Sequence, residues 1–216
     1  MADRAVGVPF AKEGIPFIGA AVGITLIAGW LGWAPIASLG AILTLFVSWF
    51  FRNPARVIPQ GPGLVVAPGD GKVLAIEEEF EPRYLKDRAV RISIFLNVFD
   101  VHINRIPCEG MVEDVQYQPG LFLVASKPGA TLKNEQNAVM IQTVEGAKVL
   151  CVQVAGLIAR RIVCWVNPKD RAVRGQRYGL IRFGSRMDTY LPVGTAIKVL
   201  VGDRVKGGET ILGELQ

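Results

Sequence analysis

Charge vanishes from the chain between Ile15 and Phe51, where the sequence reads IPFIGAAVGITLIAGWLGWAPIASLGAILTLFVSWFF. One membrane-spanning helix needs about 20 residues, so this run is too long for one and suits two short ones. Pro35, just after WLGWA, is a natural break between them. Trp30, Trp33 and Trp49 fall near the ends of the two halves, where interfacial aromatics sit. The pattern predicts an N-terminal tail over 1–14 and a membrane-associated helical hairpin over 15–51. A helical pair buried in a soluble core and a shallow, re-entrant hairpin are the competing readings. A signal peptide fits poorly, since the apolar region is too long and no small-residue cleavage site follows.

Beyond RNPARVIPQGPG the pattern changes to short β-type runs punctuated by glycine and proline. Strands are predicted over Leu64–Val66, Gly71–Glu77, Val90–Leu96, Gly110–Gln118 and Asn137–Thr143. Further strands follow over Lys148–Ala155, Arg161–Val166, Gly179–Phe183, Thr189–Leu191 and Ala196–Val199. This spacing argues for a mostly β, barrel- or sandwich-like domain over 52–216, making the chain α+β with its N-terminal hydrophobic hairpin. LKNEQNA reads as a polar loop, whereas QVAGLIARRIV fits a helix or a strand equally. VVAPGDGKVLAIEE and IKVLVGDRVKGGETILGEL both alternate around a Gly-Asp step, like the halves of the barrel-sandwich hybrid of biotinyl and lipoyl carriers. Two ordinary hairpins account for the echo as well.

Composition narrows the partners. The 216 residues carry a formal net charge of +5 and a pI near 9.3, which points to an anionic partner such as nucleic acid or an acidic membrane. The cations are scattered, and neither a run of five nor an RNP-like aromatic motif is present, so nucleic acid is not expected. Arg4 and Lys12 before the apolar run, with Arg52 and Arg56 after it, put both ends of the hairpin on the cytoplasmic side. Cys108, Cys151 and Cys164 are far apart and form no CxxC, so buried thiols are expected rather than disulfides. With a single histidine, a metal site is not expected either.

Three places carry candidate chemistry. His102, in NVFDVHINRIP, follows an apolar strand with Asp100 and Asn104 two residues to either side, on one face if the chain is extended. It is a structural histidine or a proton-transfer group. Asp70-Gly71, in APGDGKV, reads as a hairpin turn or as a carboxylate held at a strand end. Gly184-Ser185 interrupts the strand pattern of GLIRFGSRMDTYLP, and without a G-x-S-x-G elbow Ser185 reads as a bulge serine.

Six stretches taken together resemble the phosphatidylserine decarboxylase proenzymes in their short form. They are FFRNPARVIP, APGDGKV, NVFDVHINRIP, NEQN, VAGLIARRIV and RFGSRMDTYLP, in the family's order from about residue 50 to 192. The resemblance implies self-cleavage between Gly184 and Ser185 into a β chain, 1–184, and an α chain, 185–216, held together as a heterodimer. It implies that Ser185 becomes a covalent pyruvoyl group, which forms a Schiff base with phosphatidylserine and leads to phosphatidylethanolamine and carbon dioxide. By the same match, His102 supplies a proton during decarboxylation and Asp70 is the base for self-processing. Arg105 stands where the longer family form has a second histidine. The implied partners are phosphatidylserine in the bilayer and the cell (inner) membrane, with the catalytic domain on its cytoplasmic side. A homo-oligomer is compatible with this.

Other readings stay open at this point. One is a membrane-anchored carrier or phosphocarrier-like β module without catalysis, with Lys72 beyond the Gly-Asp turn. Another is a β scaffold that binds acidic lipid without turnover. A third is a decarboxylase of a related archaeal-type serine lipid.

Overall fold

The fold is taken from a computed structural model, and the structure describes residues 8–121, 133–156, 162–182 and 184–216. The chain divides into two units, residues 5–55 and a second that begins at Arg56 and runs to Gln216.

In the first unit, a short 3-10 turn at Lys12–Gly14 leads into α1 (Ile15–Trp30), and α2 (Ala34–Phe50) follows. Proline stands in the first turn of each helix, where its missing N–H costs nothing. The break thus falls just ahead of Pro35, as the sequence suggests. Small residues let the helices approach closely: a Cβ on Gly40 would lie 2.6 Å from Thr25 Oγ1. The outward faces are apolar, with Leu26, Trp30 and Leu45 all exposed. Lys12–Trp30 is long and apolar enough to cross a membrane, and Ala34–Phe50 is shorter.

The second unit is built from β-strands. Its largest sheet has eight, in the order β13 (Arg204–Val205), β2 (Gly71–Glu81), β3 (Asp87–Leu96), β11 (Ser185–Pro192), β7 (Lys148–Val154), β6 (Gln136–Gln142), β5 (Gly110–Gln118) and β9 (Arg171–Ala172). Two three-stranded sheets accompany it. One joins β1 (Leu64–Val66), β14 (Ile211–Glu214) and β12 (Ala196–Ile197). The other joins β4 (Ile103–Arg105), β10 (Arg177–Ile181) and β8 (Ile162–Cys164). Mostly β with an N-terminal helical pair is the class expected from the pattern. The two Gly-Asp segments pair with one another, β13 with β2 and β14 with β1.

The side-chain alternation of β11 sorts its two faces. Met187 and Leu191 enter the main core beside Ile92, Ile94 and Leu96, whereas Tyr190 joins a second cluster on the other face with Ala138, Leu150 and Val152. Ser185 therefore points to the main-core side, and Arg186 and Asp188 to the other.

Two local expectations are corrected. The Gly184-Ser185 step is not a bulge within one strand, since β10 ends at Ile181 in a three-stranded sheet and β11 begins at Ser185 in the eight-stranded one. The chain turns a corner between sheets, with Gly184 in the left-handed region at φ +63°. Nor is Asp70-Gly71 a left-handed turn, because neither residue has positive φ. Gly71 opens β2, and a Cβ there would run into the Phe95 carbonyl oxygen of β3. Close backbone approach explains that glycine. Parts of four expectations (the strand end at Phe183, residues 157–161 of VAGLIARRIV, Leu132 of LKNEQNA and the first residues of the tail) lie outside the described residues.

Candidate active site

Ser185 is fully buried as the first residue of β11, facing Leu96 at the end of β3. Its Oγ has no hydrogen-bond partner among the described residues. Burying a hydroxyl without a partner is costly. Around Gly184 the space is open, since a Cβ added there would meet nothing within 4 Å among the described residues. A reactive approach to its carbonyl meets no side chain of its own.

His102 lies just ahead of β4, which pairs with β10 through Ile103 and Leu180. Its carbonyl accepts a hydrogen bond from Ile181 N at 3.3 Å, so His102 sits beside the last residue of β10, four residues ahead of Ser185. The imidazole is buried, and Nδ1 lies 2.9 Å from the Asp100 carbonyl oxygen. A carbonyl only accepts, so Nδ1 carries a proton, and in the neutral form of the ring the lone pair is on Nε2. That tautomer suits proton transfer at Nε2.

The shared face expected for Asp100, His102 and Asn104 does not form. Residues 97–100 make a turn, closed by Asp100 N donating to the Asn97 carbonyl, and only 103–105 are strand. The Asp100 carboxylate instead accepts from Asn97 N at 2.9 Å and Arg204 Nη2 at 2.6 Å. Asp100 orients His102 through its backbone.

Asp70 is not hydrogen-bonded to Ser185. Arg56 Nη2 donates to both of its oxygens, at 2.9 and 2.8 Å, and Gly207 N donates to Oδ1 at 2.8 Å. The turn it anchors does reach the site, since a Cβ on Gly69 would lie 3.2 Å from Leu96 Cδ2 and 3.5 Å from Met187 Cγ. Arg105, at the second-histidine position, sends Nη1 to the Gly175 carbonyl at 2.8 Å. It lies next to Asn104 in the strand and so on the opposite face.

Pattern reading missed a buried amide chain. Asn137 Nδ2 donates to Gln153 Oε1 at 2.9 Å, and Gln153 Nε2 donates to Asn104 Oδ1 at 2.8 Å. These three residues come from β6, β7 and β4, so no spacing in the sequence joins them. The signal available was polar residues inside otherwise apolar strands. Arg56, which in the sequence is only a cation following the apolar run, has a side chain that is just 9% exposed.

A buried serine thus follows a left-handed glycine, at a corner beside the chain's one histidine. The family model for phosphatidylserine decarboxylase matches residues 43–213. The chain belongs to the phosphatidylserine decarboxylase family. Curated relatives named phosphatidylserine decarboxylase proenzyme align over nearly its whole length. That of Syntrophus aciditrophicus is 49% identical, covering 94% of this chain and 96% of its own. That of Nitrosomonas eutropha is 50% identical, covering 95% of each, and that of Desulfotalea psychrophila is 46% identical over 96% and 97%. No solved structure matches. Enzymes of the phosphatidylserine decarboxylase family are carboxy-lyases, and their description as proenzymes gives the Gly184–Ser185 corner its interest.

Proposed function

We propose that this chain is a self-processing phosphatidylserine decarboxylase whose active group is made from Ser185. The observation that carries the reading is the buried, unpartnered Ser185 Oγ directly after Gly184 in the left-handed region. Serine is the residue required, because its Oγ adds to the Gly184 carbonyl and later departs by β-elimination. Glycine ahead of it removes the side chain that would hinder that addition. His102, protonated on Nδ1, offers Nε2 to take or return a proton. Asp70 acts in self-processing by fixing the 68–71 turn against Leu96 and Met187, since Arg56 and Gly207 occupy its carboxylate.

The site fits a pyruvoyl group on the new N-terminus at Ser185, a buried position whose strand is held on both sides by β3 and β7. That group supplies a carbonyl that condenses with the substrate amine and accepts the electrons released with carbon dioxide. The residues of the chain hold it still, keep water away and move protons.

Cleavage would not release the smaller chain. β11 lies between β3 and β7, and β14 lies between β1 and β12, so 185–216 remains woven into two sheets as a β/α heterodimer. The hairpin over 15–51, with its exposed apolar faces and with Lys12 and Arg52 at its ends, supports attachment to the inner membrane with the catalytic unit on the cytoplasmic side. The bilayer then delivers phosphatidylserine.

The test is a Ser185→Ala variant beside wild type on a denaturing gel, with release of carbon dioxide from phosphatidylserine vesicles. Wild type should run as two chains and turn over lipid. Ser185→Ala should remain one chain and be inactive; a cleaved Ser185→Ala would end the proposal.

A further inference from the structure

We propose that the side-chain amide of Asn104 is a donor to the oxygen that gains charge on the Gly184 carbonyl during self-cleavage. This rests on the self-processing proposed above and adds the group that stabilises its transition state.

The orientation of the amide follows from a chain of one-way hydrogen bonds. The Val163 carbonyl can only accept, and Gln153 Nε2 approaches it at 3.4 Å, so the nitrogen end of Gln153 faces that side. The same Nε2 lies 2.8 Å from Asn104, which must therefore present Oδ1 to it. Asn137 Nδ2, 2.9 Å from Gln153 Oε1, locks the other end of the relay. Asn104 is left with its N–H2 turned away from the relay, fully buried and with no partner among the described residues. A native core rarely leaves such a donor idle.

What that donor faces is set by Gly69. A Cβ built there would touch Asn104 Nδ2 at 3.5 Å, Leu96 Cδ2 at 3.2 Å and Met187 Cγ at 3.5 Å. Leu96 is the cross-strand partner of Ser185, and Met187 is the next residue on the Ser185 side of β11. The idle donor thus lies across Gly69 from Leu96 and Met187, the two residues that flank Ser185 on its own side of the sheet.

The step that needs a donor is balanced without any co-reactant. The Ser185 hydroxyl gives up its proton to a base, Oγ bonds to the Gly184 carbonyl carbon, and the C=O electron pair moves onto oxygen. On collapse the pair returns, the Gly184–Ser185 C–N bond breaks, and the nitrogen takes a proton to become the amine of an ester-linked serine. Between those events the oxygen carries a full negative charge in a buried space, where an oriented N–H is most effective.

The test follows the rate at which newly translated full-length chain converts to two chains. Asn104→Asp keeps the acceptor that Gln153 uses and replaces the N–H2 by an oxygen. Relative to wild type at the same pH, it should cleave about 100-fold more slowly at pH 8, the usual loss for one such donor. Gln153→Glu leaves Asn104 intact but presents only acceptors, which turns the Asn104 amide over and should slow cleavage similarly. This second variant carries the test should the first fail to fold. Cleavage of either folded variant at the wild-type rate overturns the donor role. Failure of wild type to cleave would instead remove the self-processing reading beneath it.

Discussion

Arg56 grips Asp70 with one nitrogen, Nη2, lying 2.9 Å from Oδ1 and 2.8 Å from Oδ2. Both side chains are largely buried, so each is the other's compensation for lost hydration. Arg56→Ala should therefore cost about 3 kcal/mol of stability and slow self-cleavage, and Asp70→Asn should slow it likewise. Were Asp70 the base, freeing it from Arg56 would leave cleavage intact or faster. Thermal melts with timed gels of both variants decide between these roles.

Gly184 invites a different experiment, because its surroundings are open while its backbone is left-handed. An alanine there meets no described atom, so the penalty is conformational, about 1–2 kcal/mol. Gly184→Ala should still fold, with a stability loss of only that size, and cleave more slowly. Gly71→Ala should behave oppositely, because its Cβ would run into the Phe95 carbonyl and open β2 from β3. Urea melts of the two variants give the comparison.

The sheet order makes a prediction about the processed enzyme. With β11 bonded along both edges, the two chains should co-purify and separate only in denaturant. Size exclusion with and without urea checks this, and loss of the small chain under native conditions would count against it.

Burial gives the cysteines a pH signature. It pushes the Cys108 thiol up to about 12 from an ordinary 9.0, and raises Cys151 further in the same direction. Below pH 9 both are protonated in folded and unfolded chains, and nothing changes. Above it the unfolded thiols ionise while the folded ones hold their protons, so the unfolded state gains. Stability should fall between pH 9 and 12 by about 1.4 kcal/mol per pH unit for each thiol. Cys108→Ala should flatten that slope in chemical melts taken across the range.

Much of the architecture was legible in local pattern. The bounds of β1 and β5 match the sequence reading, and the uncharged run became two helices breaking before Pro35. Short strands such as Ile103–Arg105 and Arg204–Val205 were missed because pairing across the fold, not propensity, makes them strands. Ser185, His102 and Asp70 were reachable through motifs. Their geometry was not, since Asp70 turns to Arg56 and Asp100 to Arg204, contacts that no local pattern encodes. The bulge expected at Gly184-Ser185 failed for the same reason: whether a glycine bends one strand or joins two sheets depends on what each flank pairs with.

Intact mass of purified wild-type protein tests the central claim most directly. Self-processing predicts two species under denaturing conditions, residues 1–184 and residues 185–216, the smaller lighter by one ammonia than its sequence requires and blocked to N-terminal sequencing. An active enzyme with the mass of the uncut chain would contradict it.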